Sequence, residues 1–244
     1  MNKIKPWLKT NDVTLTSRLL IGTEQYGTSE LIRDITIASG SELLIATINP
    51  KDRSSGVTIS DVASSLDKEN YNYVPVSTTS FVHTVEEAID TARKLRELFD
   101  INFVKLDIRN DSKQRWSNNY DVLEAASILI DDGFDVMPMI TPCPFAAKKL
   151  EELGCCALRL SAGELGTGVG IYNLQAMKNV RDEVSIPCIG ETGIISVCEV
   201  TKLFEIGMDA VLVNSAIAQA KNPIAMAHAM RLAVESSLYY REAN

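Results

Sequence analysis

Lys105 stands inside Phe103-Val104-Lys105-Leu106-Asp107-Ile108, a run that otherwise reads as a buried β-strand. Burying an ammonium is costly unless it is paired or gives up its proton, so a lysine in such a run needs a chemical reason. Asp107 lies two residues further on. Strand side chains on one face recur every second residue, so Lys105 and Asp107 should point the same way. Directed together into a barrel mouth, they make a Schiff-base lysine with an acid/base neighbour. A buried ion pair filling a barrel interior is the other reading, and these two residues alone leave both open.

Three segments could hold an anionic substrate. Glu164-Leu165-Gly166-Thr167-Gly168-Val169-Gly170 is rich in glycine, Glu191-Thr192-Gly193-Ile194 carries a second carboxylate, and Asn214-Ser215-Ala216 is small and polar. Glycine lets backbone N–H groups approach a phosphate closely. Tight turns between strands and helices would look the same, and a lone Gly-rich loop is weak evidence. Gly166, Gly168, Thr192, Gly193, Asn214 and Ser215 are the candidate phosphate and substrate residues, and Lys105, Asp107 and Glu191 the candidate catalytic groups.

The elements that must position these groups show as an alternation. Apolar runs of strand length alternate with amphipathic helical stretches. The strand candidates are 18–22, 43–48, 73–77, the Lys105 run, 135–140, 157–160, 186–190 and 210–214. Helices are expected over Thr84–Phe99, Tyr120–Asp132, Phe145–Leu153 and Val197–Ile206, and a last one from Asn222-Pro223, with Asn as N-cap and Pro at the first helical position. Gly133, Gly154 and Gly207 stand where helices turn back into strands. Strict strand-then-helix order gives parallel strands with crossover helices. Eight units in 244 residues favour a single (β/α)8 TIM barrel, preceded by a short N-terminal extension over 1–16. An open dinucleotide-binding sheet would want G-x-G-x-x-G after the first strand, where Gly22-Thr23-Glu24-Gln25-Tyr26-Gly27 stands instead. Pro75 and Pro138 count against two of the strands. In such a barrel the chemistry sits at the C-terminal strand ends, where Lys105, Glu191 and the three loops converge.

Composition narrows the partners. The net charge is −8, with no basic cluster, which argues against nucleic acid and anionic membranes. No apolar run approaches the ~18 residues of a membrane span, and the N-terminus has no apolar signal core. Five cysteines without a C-x-x-C or His/Cys cluster suggest reduced thiols in the cytoplasm, with no metal site and no cofactor. Cys188 reads as core, and Cys155 and Cys156 as packing residues on opposite faces. Neither His83 nor His228 is expected to be catalytic, whereas Trp116 and Tyr120 could line the mouth.

The chain resembles the thiazole synthase family, which forms the thiazole phosphate of thiamin. Matching stretches are SRLLIGT at 17–23, TVEEAI at 84–89, VKLDI at 104–108, KKLEELG at 148–154, GTGVG at 166–170 and IGMDAVLVNSAIAQAKNPIAMAHAMRLAVE at 206–235. The resemblance implies a transferase in which Lys105 forms an imine with 1-deoxy-D-xylulose 5-phosphate. It implies sulfur delivered as the C-terminal thiocarboxylate of a ubiquitin-like sulfur-carrier protein, and a homo-oligomer. It places the sugar and phosphate on Gly166, Thr192-Gly193 and Asn214-Ser215. The chain departs from the family in four places. Asp107 and Glu191 stand where the family usually has Glu and Asp, a reciprocal exchange. Ile195 replaces a glycine after strand 7, Arg115-Trp116-Ser117-Asn118 replaces a Leu-Pro-Asp segment, and Thr78-Thr79 stands for Asn-Thr. These departures also admit a divergent paralogue that inserts sulfur into another phosphorylated ketose, a non-catalytic carrier-binding barrel, or a plain lysine aldolase.

Overall fold

The computed structural model describes residues 5–47, 59–110 and 116–244. The sequence's alternation becomes a ring of parallel strands. These are β3 (Leu19–Ile21), β4 (Leu43–Thr47), β5 (Val74–Thr78), β6 (Phe103–Leu106), β7 (Asp135–Ile140), β8 (Leu158–Ser161), β9 (Cys188–Glu191) and β10 (Ala210–Val213). A two-stranded antiparallel hairpin, β1 (Leu8–Lys9) and β2 (Thr14–Leu15), precedes them. Among the described residues, the eight parallel strands run β3-β10-β9-β8-β7-β6-β5-β4 in a near-closed (β/α)8 barrel. The helices are α1 (Ser29–Ser39), α2 (Ile59–Lys68), α3 (Val85–Phe99), α4 (Asn119–Asp131), α5 (Pro144–Leu153), α6 (Leu174–Glu183), α7 (Val197–Glu205), a short α8 (Ser215–Ala218) and α9 (Pro223–Ala243). Ile48, expected to end the second strand, and Arg115 lie outside the described residues.

Local chemistry sets the helix ends. The Thr84 side chain caps α3 by accepting from the Glu87 N–H, and Asn222 caps α9 through the Ala225 N–H with Pro223 following. Gly154 ends α5 at φ 101°, in the left-handed region that an L side chain rarely enters. Pro75 and Pro138 are tolerated for a shared reason. The β5–β6 ladder starts at Ser77, beyond Pro75, and the β7–β8 ladder starts at Met139, beyond Pro138. Each proline therefore sits where its strand is laddered to one neighbour only.

Period-two alternation sorts the side chains into two layers. On β6, Val104 and Leu106, with Ile108 just beyond, join the large apolar layer beneath the helices, whereas Phe103 joins the barrel interior. Interior residues at the N-terminal strand ends include Leu43, Phe103, Ala157 and Ala210. Trp7, Leu8, Val13 and Leu15 of the hairpin pack on them and close that end. The Trp7 indole N–H donates to the Ser17 carbonyl at 2.8 Å, and the Glu42 carboxylate accepts from the Thr16 and Ser17 N–H groups at 2.6 and 2.9 Å. The hairpin is thus a floor pinned at its exit. Among the described residues no helix is long and apolar enough to cross a membrane.

Truncating Trp7, which is 8% exposed, should open a cavity in this floor. Trp7→Ala is expected to lower stability by about 3–5 kcal/mol, read as a drop in the urea midpoint at unchanged slope.

Candidate functional site

Lys105 and Asp107 do share the inward face, and they meet two further charges there. The Lys105 ammonium lies 2.7 Å from Asp107 Oδ2 and 3.7 Å from Glu191 Oε1. Arg159 on β8 places Nη2 3.1 Å from Asp107 Oδ1 and Nη1 2.5 Å from Glu191 Oε2. All four residues are buried, Arg159 and Asp107 completely. Each carboxylate gives one oxygen to the lysine and the other to the arginine, so two cations and two anions form a closed ring. Two further guanidinium N–H groups are anchored on the barrel wall, Nε on the Met137 carbonyl at 3.2 Å and Nη2 also on the Leu106 carbonyl at 2.8 Å.

Asp107 is held from several sides. Thr78 and Ser80 hydroxyls donate to its Oδ2 at 3.3 and 3.0 Å, and the Thr79 hydroxyl exchanges hydrogen bonds with its backbone N–H and carbonyl. Burial pushes its carboxyl up, but Arg159, Lys105 and Arg109 together outweigh that and hold it well below the usual carboxylate range. Burial works against the Arg159 charge as well, and Asp107 and Glu191 more than offset it, so the guanidinium stays ionised.

Glu191 connects the ring to open space. It lines a cavity of about 300 Å³ together with Gly166, Gly168, Thr192, Gly193, Asn214 and Ser215. All six residues expected to hold substrate thus share one cavity with one of the three expected catalytic groups. Lys105 and Asp107 stand behind Glu191, in the ring. Ile195 also lines this cavity at 44% exposure, with its Cδ1 near Gly170. Trp116 and Ser117 line a smaller adjoining pocket that shares Glu164, Leu165 and Thr192, whereas Tyr120 points to solvent at 82% exposure. His83 Nδ1 lies 2.7 Å from the Arg109 carbonyl, and His228 is exposed on α9. Cys188 belongs to the outer apolar layer, and burial raises its thiol to about 12.

The cavity wall is built from backbone. The Thr192 hydroxyl donates to the Gly163 carbonyl at 2.5 Å and accepts from the Gly163 N–H at 3.2 Å, tying the loop after β9 to the loop after β8. A Cβ on Gly163 would meet the Gly170 carbonyl oxygen at 2.4 Å, and one on Gly193, at φ +66°, would meet that oxygen at 2.8 Å. On the far side, the Asn214 amide donates to Glu24 at 3.0 Å and the Gln25 amide donates to Ser215 at 3.1 Å. Among the described residues no group of three or more His, Cys, Asp or Glu is placed to hold a metal ion.

Sequence reasoning missed Arg159, Gly163, the Ser80 hydroxyl and the Glu24-Gln25 pair, and it named Thr78-Thr79 only as a departure from the family pattern. Arg159 carried the same signal as Lys105, a cation inside an apolar strand run. The others had none, because their partners lie far away in sequence.

These contacts separate the glycines by their surroundings. Gly193→Ala should cost about 1–3 kcal/mol in thermal unfolding, because it adds a backbone clash to left-handed strain. Gly166→Ala has the same backbone strain at φ +73° but open space around its Cβ, and should cost less.

A family model described as "Thiazole biosynthesis protein ThiG" matches residues 9–244. The thiazole synthase of Stutzerimonas stutzeri is 37% identical over 224 residues, which is 91% of this chain and 84% of that protein. The thiazole synthase of Proteus mirabilis is 34% identical over 235 residues, 96% of this chain and 89% of that protein. Among solved structures, the Amycolatopsis orientalis BexX/CysO complex is similar with a TM-score of 0.92 at 37% identity, covering 98% of this chain and 97% of that one. A 3-hexulose-6-phosphate synthase, at a TM-score of 0.59 and 13% identity, shares the fold alone. With a family match across nearly the whole chain and relatives above 30% identity covering nine-tenths of it, this chain belongs to the ThiG thiazole synthase family.

Proposed function

We propose that the protein is a sulfur-transferring enzyme of thiazole synthase type that works through a lysine imine on a phosphorylated ketose, 1-deoxy-D-xylulose 5-phosphate. The observation that carries this reading is a buried lysine between two carboxylates, one of which faces a cavity walled by glycine backbone and small polar side chains. The substrate phosphate sits against Gly166, Gly168, Thr192 and Gly193, with Asn214 and Ser215 lining the same cavity. Lys105, once deprotonated, attacks the ketose carbonyl; the C–O bond breaks, water leaves, and the C=N bond of the imine forms. A carboxylate then takes a proton from the neighbouring carbon and another returns one, which moves the carbonyl function along the chain. In this scheme Glu191, which lines the cavity, serves the cavity side of the exchange and Asp107 the lysine side. The terminal thiocarboxylate sulfur of a ubiquitin-like carrier protein adds to the new carbonyl carbon, whose oxygen takes up a proton as the C–S bond forms; passage of the carrier's acyl group from that sulfur to the new hydroxyl oxygen then breaks the acyl C–S bond and leaves the sulfur on the substrate. The similarity to a BexX that is solved together with CysO supports a protein partner of this kind.

A second reading keeps the same chemistry on a different phosphorylated ketose. It is favoured by Ile195 on the cavity wall and by Arg159, which ties both exchanged carboxylates into one ring.

Borohydride reduction with 1-deoxy-D-xylulose 5-phosphate should leave a stable adduct on Lys105, detected by peptide mass spectrometry and absent in Lys105→Arg. An unmodified Lys105 across a panel of phosphorylated ketoses would sink the imine reading. Complementation of a thiamin auxotroph separates the two substrates: rescue supports the first reading, and failure alongside an adduct with another ketose supports the second.

A further inference from the structure

We propose that Arg159 is a positioning residue whose fixed charge lets the Lys105 amine shed its proton inside the barrel. The proposal rests on the imine reading of Lys105 and adds a residue to it. A nucleophilic lysine must be neutral, yet Asp107 and Glu191 both favour its ammonium form. A lysine facing two carboxylates alone would leave two uncompensated anions behind when it lost its proton. Arg159 changes that balance. It touches the same two carboxylates through their other oxygens, Asp107 Oδ1 at 3.1 Å and Glu191 Oε2 at 2.5 Å. A guanidinium keeps its charge throughout the physiological range, so this compensation persists whatever Lys105 does. The ring is neutral with Lys105 charged and carries a single negative charge with Lys105 neutral.

The geometry also fixes the carboxylates in place. Two backbone carbonyls, of Leu106 and Met137, hold the guanidinium against the wall. Asp107 and Glu191 therefore have an immobile partner when the lysine leaves the ring to bond to a ketose. Among the described residues, these groups face Lys105. Asp107 shares its strand run and Glu191 comes from β9; Arg159 comes from β8, and Arg109 acts on Asp107 from beyond β6. The end of β5 contributes the Ser80 hydroxyl, 3.5 Å from the ammonium. Among the described interior side chains, β3, β7 and β10 contribute the apolar Leu20, Met137 and Leu212.

The test follows the Lys105 proton in the full-length protein. Borohydride trapping with 1-deoxy-D-xylulose 5-phosphate is measured against pH in the unmutated protein, Arg159→Met, Arg159→Gln and Arg159→Lys, with circular dichroism to show that each is folded. Arg159→Met should move the pH of half-maximal trapping up by about one unit or more. Arg159→Gln, which keeps donors but no charge, should do the same and serves if the methionine variant does not fold. Arg159→Lys should restore the midpoint towards its original value, an outcome a purely structural role would not give. An unchanged midpoint in a folded, uncharged variant would overturn the proposal. Failure of the imine reading looks different: no adduct forms in the unmutated protein at any pH. In that case NMR titration of Lys105 in protein carrying isotope-labelled lysine, assigned with Lys105→Arg, reads the same proton without a ketose. The upward shift in Arg159→Met is still required, and its absence overturns the proposal.

Discussion

Asp107 and Glu191 each divide their two oxygens between Lys105 and Arg159, and the rest of the barrel answers to that division. Four ionised groups taken out of water would oppose folding by several kcal/mol per ion if left unpaired. They are tolerated because every charge meets two of the opposite sign and because hydroxyls and backbone carbonyls take up the remaining donors and acceptors. The ring spans three strands, and strand register is what brings it together. Lys105 is level with Met137 on β7, Met139 with Arg159 on β8, and Ser161 with Glu191 on β9. A slip of one residue in any of these ladders would turn a charge outward into the apolar layer under the helices. The ring therefore penalises every register but one.

Glu191 is the joint between this interior and the open end. Behind it lie the lysine and the arginine; in front lies a cavity whose walls are mostly main chain. Gly163, Gly170 and Gly193 bring two loops so close that no side chain fits between them, and the Thr192 hydroxyl bonds across the contact. A wall of this kind offers N–H groups at short range without long side chains to order. Rigid charge behind and close backbone in front suit a small anionic carbonyl compound held in one orientation.

Much of this was legible from residue order. That Lys105 and Asp107 share a face followed from strand alternation, and the grouping of the Gly166, Gly193 and Asn214 segments followed from the architecture, which brings the ends of β8, β9 and β10 side by side. The Pro75 and Pro138 objections failed because each proline stands where its strand is laddered on one side only, and a proline is excluded only where the ladder on its N–H side needs that donor. Arg159 was visible by the argument that picked out Lys105, but an arginine within a four-residue run draws less notice than one with a carboxylate two residues away. The contacts of Asn214 with Glu24 and of Ser215 with Gln25 join the two ends of the chain, across 190 residues of sequence in each case. Pattern reading has no access to them, since they arise from β3 and β10 lying side by side in the barrel. The hairpin before β3 was read as an extension because short apolar segments carry no mark of what they cover.

That hairpin covers one end of the barrel. Among the described residues, Trp7, Leu8, Val13 and Leu15 are seated against the strand origins beneath the charged ring, and Glu191 is the ring member that lines the cavity at the other end. On the imine reading proposed above, a substrate in that cavity meets Glu191 before Lys105. On that reading the ligand would lie between the ring and the open end, and protons leaving the ring on that side would pass through it.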